Sequence, residues 1–121
     1  MRDYQYDHVH LRSPDPDATA RFFETMFGAE VTRSVYPPGT LYPGQLRITM
    51  QLGGQKVLIA PPHPHEPNVA PPLFPHHGLE HIGLTVDEVD AAAEELRAKG
   101  AEIVIGPLTR NPGLRPKSRA Q

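Results

Sequence analysis

The 121-residue chain has no cysteine. Disulfides, thiolate zinc centres and a cysteine nucleophile are therefore excluded. It has no apolar run near the ~20 residues a membrane-spanning helix needs. Residues 1–7 also lack the apolar stretch of a signal peptide, so a cytoplasmic protein without a membrane partner is expected. Nor is there a basic excess. Twelve Lys and Arg against fourteen Asp and Glu leave a net charge of −2, which offers no electrostatic footprint for nucleic acid. The length suits a single domain over residues 1–121, with a real but small core. What is abundant is proline, at 15, and histidine, at 7.

The chain repeats itself. Gly28-Ala29-Glu30-Val31 returns as Gly100-Ala101-Glu102-Ile103, and Asp15 returns as Asp87, both at a shift of 72. Asp7-His8-Val9-His10-Leu11 returns as Glu80-His81-Ile82-Gly83-Leu84 at a shift of 73. Landmarks in one order at nearly one spacing mark a supersecondary unit used twice. The repeat sets a histidine, His8 or His81, at the same place in each copy.

In the first copy, residues 7–12 alternate as a strand, with Val9 and Leu11 on one face and His8, His10 and Arg12 on the other. Asp15 suits a helix N-cap and Pro16 the first helical position. Thr19, Phe22, Phe23, Met26 and Phe27 form an apolar stripe, and Gly28 ends the helix. A strand is predicted over 29–36. Residues 45–52 alternate again, Leu46, Ile48, Met50 and Leu52 against Arg47, Thr49 and Gln51. Gly53-Gly54 makes a hairpin into a fourth strand over 56–60. The first module is strand-helix-strand-strand-strand over 7–60.

Residues 61–79 hold seven prolines and four histidines (His63, His65, His76, His77) and read as an extended linker. The second copy predicts a strand over 80–86, with His81, Gly83 and Thr85 on one face. A helix capped by Asp87, with Val89, Ala92, Ala93 and Leu96 as its stripe, follows. A further strand is predicted over 101–105. Counterparts of the third and fourth strands would fall near 117–132. Residues 110–121 instead carry four basic residues, two prolines and one large apolar residue, so 108–121 reads as a disordered tail. The second module, 80–107, is expected to lack its last two strands.

This duplicated strand-helix-three-strand pattern resembles the glyoxalase / bleomycin resistance / extradiol dioxygenase, or vicinal oxygen chelate, superfamily. Glyoxalase I and methylmalonyl-CoA epimerase are the nearest types. The likeness is carried by Asp7-His8-Val9-His10-Leu11, Phe27-Gly28-Ala29, Lys56-Val57-Leu58-Ile59-Ala60-Pro61, Gly78 through Asp87, and Lys99-Gly100-Ala101-Glu102. The resemblance implies an α+β fold of two βαβββ modules, each half of a cupped sheet around a pocket. A divalent metal there grips a substrate through adjacent oxygens and stabilises an oxyanion.

Carried across residue by residue, the resemblance makes His8 and His81 the metal ligands. The fourth-strand ligand, usually Glu or Gln, would fall at about Val57, on a Val57/Ile59 face that cannot ligate. The last ligand belongs to the absent hairpin. His10, Arg47, Thr49, Gln51, Val57, Ile59, Gly83 and Thr85 are expected to line the substrate pocket. The metal is open among Zn, Ni, Mn and Fe, and no catalytic base is identifiable. A metal-dependent lyase or isomerase acting on a small oxygenated metabolite is implied, as a homodimer whose partner covers the open sheet edge. A metal-free binding protein of the same fold is the competing expectation, and an inactive truncated member is a third.

Overall fold

A computed structural model describes residues 1–106. The elements run β1 (His8–Arg12), α1 (Pro16–Phe27), β2 (Glu30–Val35), β3 (Leu46–Leu52), β4 (Gln55–Ala60) and α2 (Val89–Ala98). The fold is mixed α+β. The backbone divides into two compact units, Met1–Val69 and a second that begins at Ala70.

The first unit is the predicted strand-helix-three-strand module. Its sheet has the order β1-β4-β3-β2. β1 lies parallel to β4, and the β4–β3 and β3–β2 pairs are antiparallel. Helix α1 starts where the sequence says it should. The Asp15 carboxylate accepts from the Ala18 N–H at 3.0 Å, satisfying one donor that the helix cannot pair internally. Pro16 follows, where its missing N–H costs nothing. The helix ends on Gly28, whose φ of 68° is left-handed and favours a residue without Cβ.

One sheet face packs against α1. Ile48, Met50, Leu52, Val57 and Ile59 are buried there with Ala20 of the helix. Val9, Leu11, Phe23, Phe27, Val31 and Leu46 close the edges of this core. Alternation along each strand leaves the opposite face with the polar set, which is where the functional residues gather.

In the second unit, α2 buries Val89, Ala93 and Leu96. It begins one residue later than expected: Glu88, not Asp87, holds the N-cap position and makes no side-chain cap bond. Residues 80–86 form no strand within the described residues, although the sequence alternates as one. Ile82, Leu84 and Val86 remain 47%, 37% and 43% exposed. A strand is defined by a hydrogen-bonded neighbour, and pattern alone does not supply one. Of the predicted strand over 101–105, only Ile103 makes an isolated bridge. The expected disordered tail over 108–121, and the expected loss of the second module's last two strands, fall outside the described residues.

Candidate functional site

The strand register assembles the polar face of the first unit in rows. His8 stands beside Lys56 on β4, which stands opposite Gln51 on β3, opposite Glu30 on β2. The next row is His10, Leu58, Thr49 and Thr32. The third brings Arg12 beside Ala60 on one side and Ser34 opposite Arg47 on the other. Sequence alternation therefore brought His8, His10, Arg47, Thr49 and Gln51 onto one surface as expected.

Val57 and Ile59 do not join them. They pair with Met50 and Ile48 on the helix-packed face and are 2% and 1% exposed. Their expected place in a ligand pocket is corrected: they are core residues, closed to a ligand by α1. The side chains of β4 that share the His8 face are Lys56 and Leu58, one position off the expected register. A shift of one residue exchanges the faces of a strand, which is how the expectation missed.

Around β1 the electrostatics are specific. Nδ1 of His8 and Oδ2 of Asp7 lie 2.6 Å apart, and Nζ of Lys56 lies 3.6 Å from the same oxygen. The His8 hydrogen bond, then the Lys56 charge, hold the Asp7 carboxyl below its usual range. Asp7 accepts at Nδ1, so the His8 ring is turned with Nε2 free of any hydrogen bond among the described residues. His10 lies with its ring centre 6.2 Å from that of His8, the planes at 67°. Burial first, then the positive charges of Arg12 and His8, lower the His10 pKa from its ordinary value. A neutral imidazole is the ligating form.

The second unit repeats the device. Nδ1 of His81 is 3.0 Å from Oε1 of Glu80, and its Nε2 is likewise without a hydrogen bond among the described residues. Gly83 and Thr85 lie two and four residues further along, in the exposed segment that forms no strand.

The donor chemistry fits a divalent metal in part. Ligating histidines characteristically give their second ring nitrogen to a carboxylate, and both acid–histidine pairs have that form. Two imidazoles sharing one tetrahedral ion at ~2.1 Å per nitrogen have ring centres about 5.3 Å apart, so the His8–His10 pair, at 6.2 Å, is wider than a shared ion would set. Among the described residues, moreover, no three His, Cys, Asp or Glu side chains gather to hold an ion. The remaining ligands would have to be water or substrate oxygens, or come from another chain.

The linker histidine His63 is differently employed. Its Nδ1 accepts from the backbone N–H of His65 at 3.1 Å and of Glu66 at 2.9 Å, so the proton sits on Nε2 and donates to the Tyr42 hydroxyl at 2.7 Å. Both nitrogens are committed, and His63 is a staple rather than a ligand. Sequence reasoning missed this pairing because no spacing rule joins residues 42 and 63. It also left out Arg12 and Lys56, although the alternation of β1 already set Arg12 on the His8 face.

Comparison with known proteins gives one consistent picture. The family model described as Glyoxalase/Bleomycin resistance protein/Dioxygenase superfamily matches residues 5–115. No curated protein matches the chain. Among solved structures, a protein from the mobile metagenome of V. Pseudocholerae is 22% identical with a TM-score of 0.57, over 93% of this chain and 80% of that one. The genomically encoded fosfomycin resistance protein FosX from Listeria monocytogenes, in a hexagonal form, is 18% identical with a TM-score of 0.61, over 93% and 78%. A mutant of FosX complexed with Mn(II) and 1S,2S-dihydroxypropylphosphonic acid is 20% identical with a TM-score of 0.55, over 84% and 69%. At these identities the likeness establishes a shared fold. No helix of the described residues is long and apolar enough to cross a membrane.

Proposed function

This chain belongs to the Glyoxalase/Bleomycin resistance protein/Dioxygenase superfamily, and from that premise we propose that it is a divalent-metal-dependent lyase or isomerase acting on a small oxygenated metabolite. His8 and His81 are the proposed ligands, each through Nε2. The observation that carries this reading is the repeated acid–histidine pair, Asp7–His8 and Glu80–His81, at 2.6 and 3.0 Å. An acid beside a histidine in both copies, each engaging Nδ1 and freeing Nε2, suits ligation. FosX, which shares this fold, binds Mn(II) in its complex with the dihydroxypropylphosphonic acid, and this lends weight to Mn beside Zn, Ni and Fe.

When bound, the ion would polarise adjacent substrate oxygens. The chain's own residues do the rest. Asp7 and Glu80 orient their imidazoles. His10, Arg47, Thr49 and Gln51 offer hydrogen-bonding groups beside His8, and Gly83 and Thr85 are the proposed contributors near His81. A homodimer is proposed as well, because 80–86 alternates as a strand yet has no ladder partner among the described residues. A cytoplasmic location fits this reading.

The second reading is a metal-free binding protein. Lys56 supports it: on the fourth strand it is the register neighbour of His8, and an ammonium cannot ligate. Native mass spectrometry of untagged protein, before and after a chelator, separates the two. Stoichiometric metal that disappears with the chelator, and that H8A and H81A each lose, is expected. Unchanged metal content in the double variant would overturn the ligand assignment, and metal-free protein throughout would favour the binding role.

A further inference from the structure

The connection after β4 is short of hydrogen-bond donors. Within residues 61–68, Pro61, Pro62, Pro64 and Pro67 have no N–H to give. No backbone–backbone hydrogen bond closes this stretch among the described residues. Two side chains close it instead. Nδ1 of His63 accepts from the backbone N–H of His65 at 3.1 Å and of Glu66 at 2.9 Å. Oδ1 of Asn68 accepts from the His63 N–H at 2.9 Å, and its Nδ2 donates to the carbonyls of His63 and Glu66 at 3.4 Å. The chain thus doubles back between His63 and Asn68, just before the first unit ends at Val69.

The acceptor that carries two donors is also the one that titrates. Histidine changes its charge between about pH 5 and 8. An imidazolium has a proton on both nitrogens and accepts at neither. In the closed turn a proton on Nδ1 would point at two N–H groups. The Tyr42 contact is not the sensitive one, because Nε2 donates to that hydroxyl in either charge state. Nothing around the ring offsets the conflict. The neutral Tyr42 phenol faces it from the β2–β3 connection, with ring centres 5.0 Å apart. On its own segment the His65 ring, 6.2 Å away, would add a like charge. Neither Glu66 nor any other carboxylate of the described residues forms an ion pair with His63. Protons therefore favour the open turn, and closure is complete only while the ring is neutral.

We propose that the His63 turn is a proton-operated lock on the length of the linker, closed by the neutral imidazole and opened by the imidazolium. Opening releases residues 64–68, each of which adds up to about 3.3 Å of extended chain. The second unit begins at Ala70 and carries the Glu80–His81 pair. It is held on a shorter tether at high pH and a longer one at low pH. Tether length sets the effective concentration at which one tethered module meets another. The lock needs no metal, so it stands or falls apart from the enzyme reading.

The test uses full-length, 15N-labelled protein at about pH 8 and pH 5, the span over which an imidazole changes charge. The amide signals of His65 and Glu66 are expected to move together with the His63 ring signals. The heteronuclear NOE of residues 64–68 should fall at the acid end while that of β3 holds. Because the chain has no cysteine, spin labels can be placed at P62C and V69C, exposed positions that flank the turn. Their separation should lengthen on acidification. H63N tests the cause. An asparagine oxygen accepts backbone N–H groups further along its own turn but does not titrate, so H63N should stay closed at both pH values. H65Q should respond as the parent does. An unchanged turn and label separation while the His63 ring titrates would overturn the lock. So would a pH response in H63N equal to the parent's, or a response lost in H65Q, which would assign the effect to His65.

Discussion

Oδ2 of Asp7 stands 2.6 Å from Nδ1 of His8, and this one contact settles which ring nitrogen is left to face a ligand. The same oxygen lies 3.6 Å from Lys56, so the carboxylate answers two cationic neighbours at once. Removing the carboxylate frees the ring to rotate and leaves Lys56 as the nearest charge. D7N is therefore expected to weaken metal binding by about 10–100-fold, the usual cost of losing the partner that orients a histidine ligand. A metal titration of D7N beside its parent checks this. Since Asp7 is exposed, thermal unfolding of the apo-proteins should barely differ. Parent-like affinity in D7N would show that the acid does not orient the ring.

His10 gives a pH dependence of definite sign. Burial, then the charges of Arg12 and His8, put its folded pKa below the ordinary 6.5. Between the folded value and 6.5 the unfolded chain binds the proton more readily, so stability should rise with pH across that window. Above 6.5 His10 contributes no further slope. An NMR titration of the His10 ring should have its midpoint below 6.5, and R12Q should move it part of the way back. A parent midpoint at or above 6.5 would contradict the stated environment.

Ile59 tests the corrected face of β4. At 1% exposure in the helix-packed core, Ile59→Ala should cost about 2–5 kcal/mol of folding stability through lost burial and the cavity left behind. Urea denaturation should show a lower midpoint with an unchanged slope. Metal affinity of the folded fraction should stay at the parental value, which a pocket-lining residue would not allow.

The parts of this molecule that were legible in its sequence are those fixed by local chemistry. Asp15-Pro16 at the start of α1 and Gly28 at its end each follow from the backbone needs of a helix terminus. The alternation at 46–52 set Ile48 and Met50 inward and Arg47 and Thr49 outward without reference to any neighbour. What the sequence hid depends on pairing. Whether Lys56 or Val57 shares a face with His8 is decided by a parallel β1–β4 register between residues some 48 positions apart, and no local pattern encodes that offset. Residues 80–86 show the converse. Their period of two is as clean as that of β3, yet a ladder requires a second backbone in place. Ion pairing was hidden for a third reason, since a pair such as Arg33–Asp17 appears only when helix and sheet are brought together.

His63 supplies the last test, because composition alone would class it with the ligands. It lies in a segment rich in histidine and proline, two residues from His65, and its ring centre is 6.2 Å from that of His65. That is the same separation as between His8 and His10. Hydrogen bonding distinguishes the two pairs. His8 keeps Nε2 free, whereas His63 spends Nδ1 on two backbone N–H groups and Nε2 on Tyr42. Replacing His63 hands those N–H groups, which belong to the exposed His65 and Glu66, to water, so the cost is the net value of the lost hydrogen bonds, about 0.5–1.5 kcal/mol. His63→Ala is accordingly expected to lower the unfolding free energy while leaving metal stoichiometry at the parental value. Tyr42→Phe, which deletes a single acceptor, should cost less. Ring nitrogen shifts of the parent should report an unprotonated Nδ1 and a protonated Nε2. Loss of metal in His63→Ala with stability intact would reverse the assignment and return the linker histidines to the ligand set.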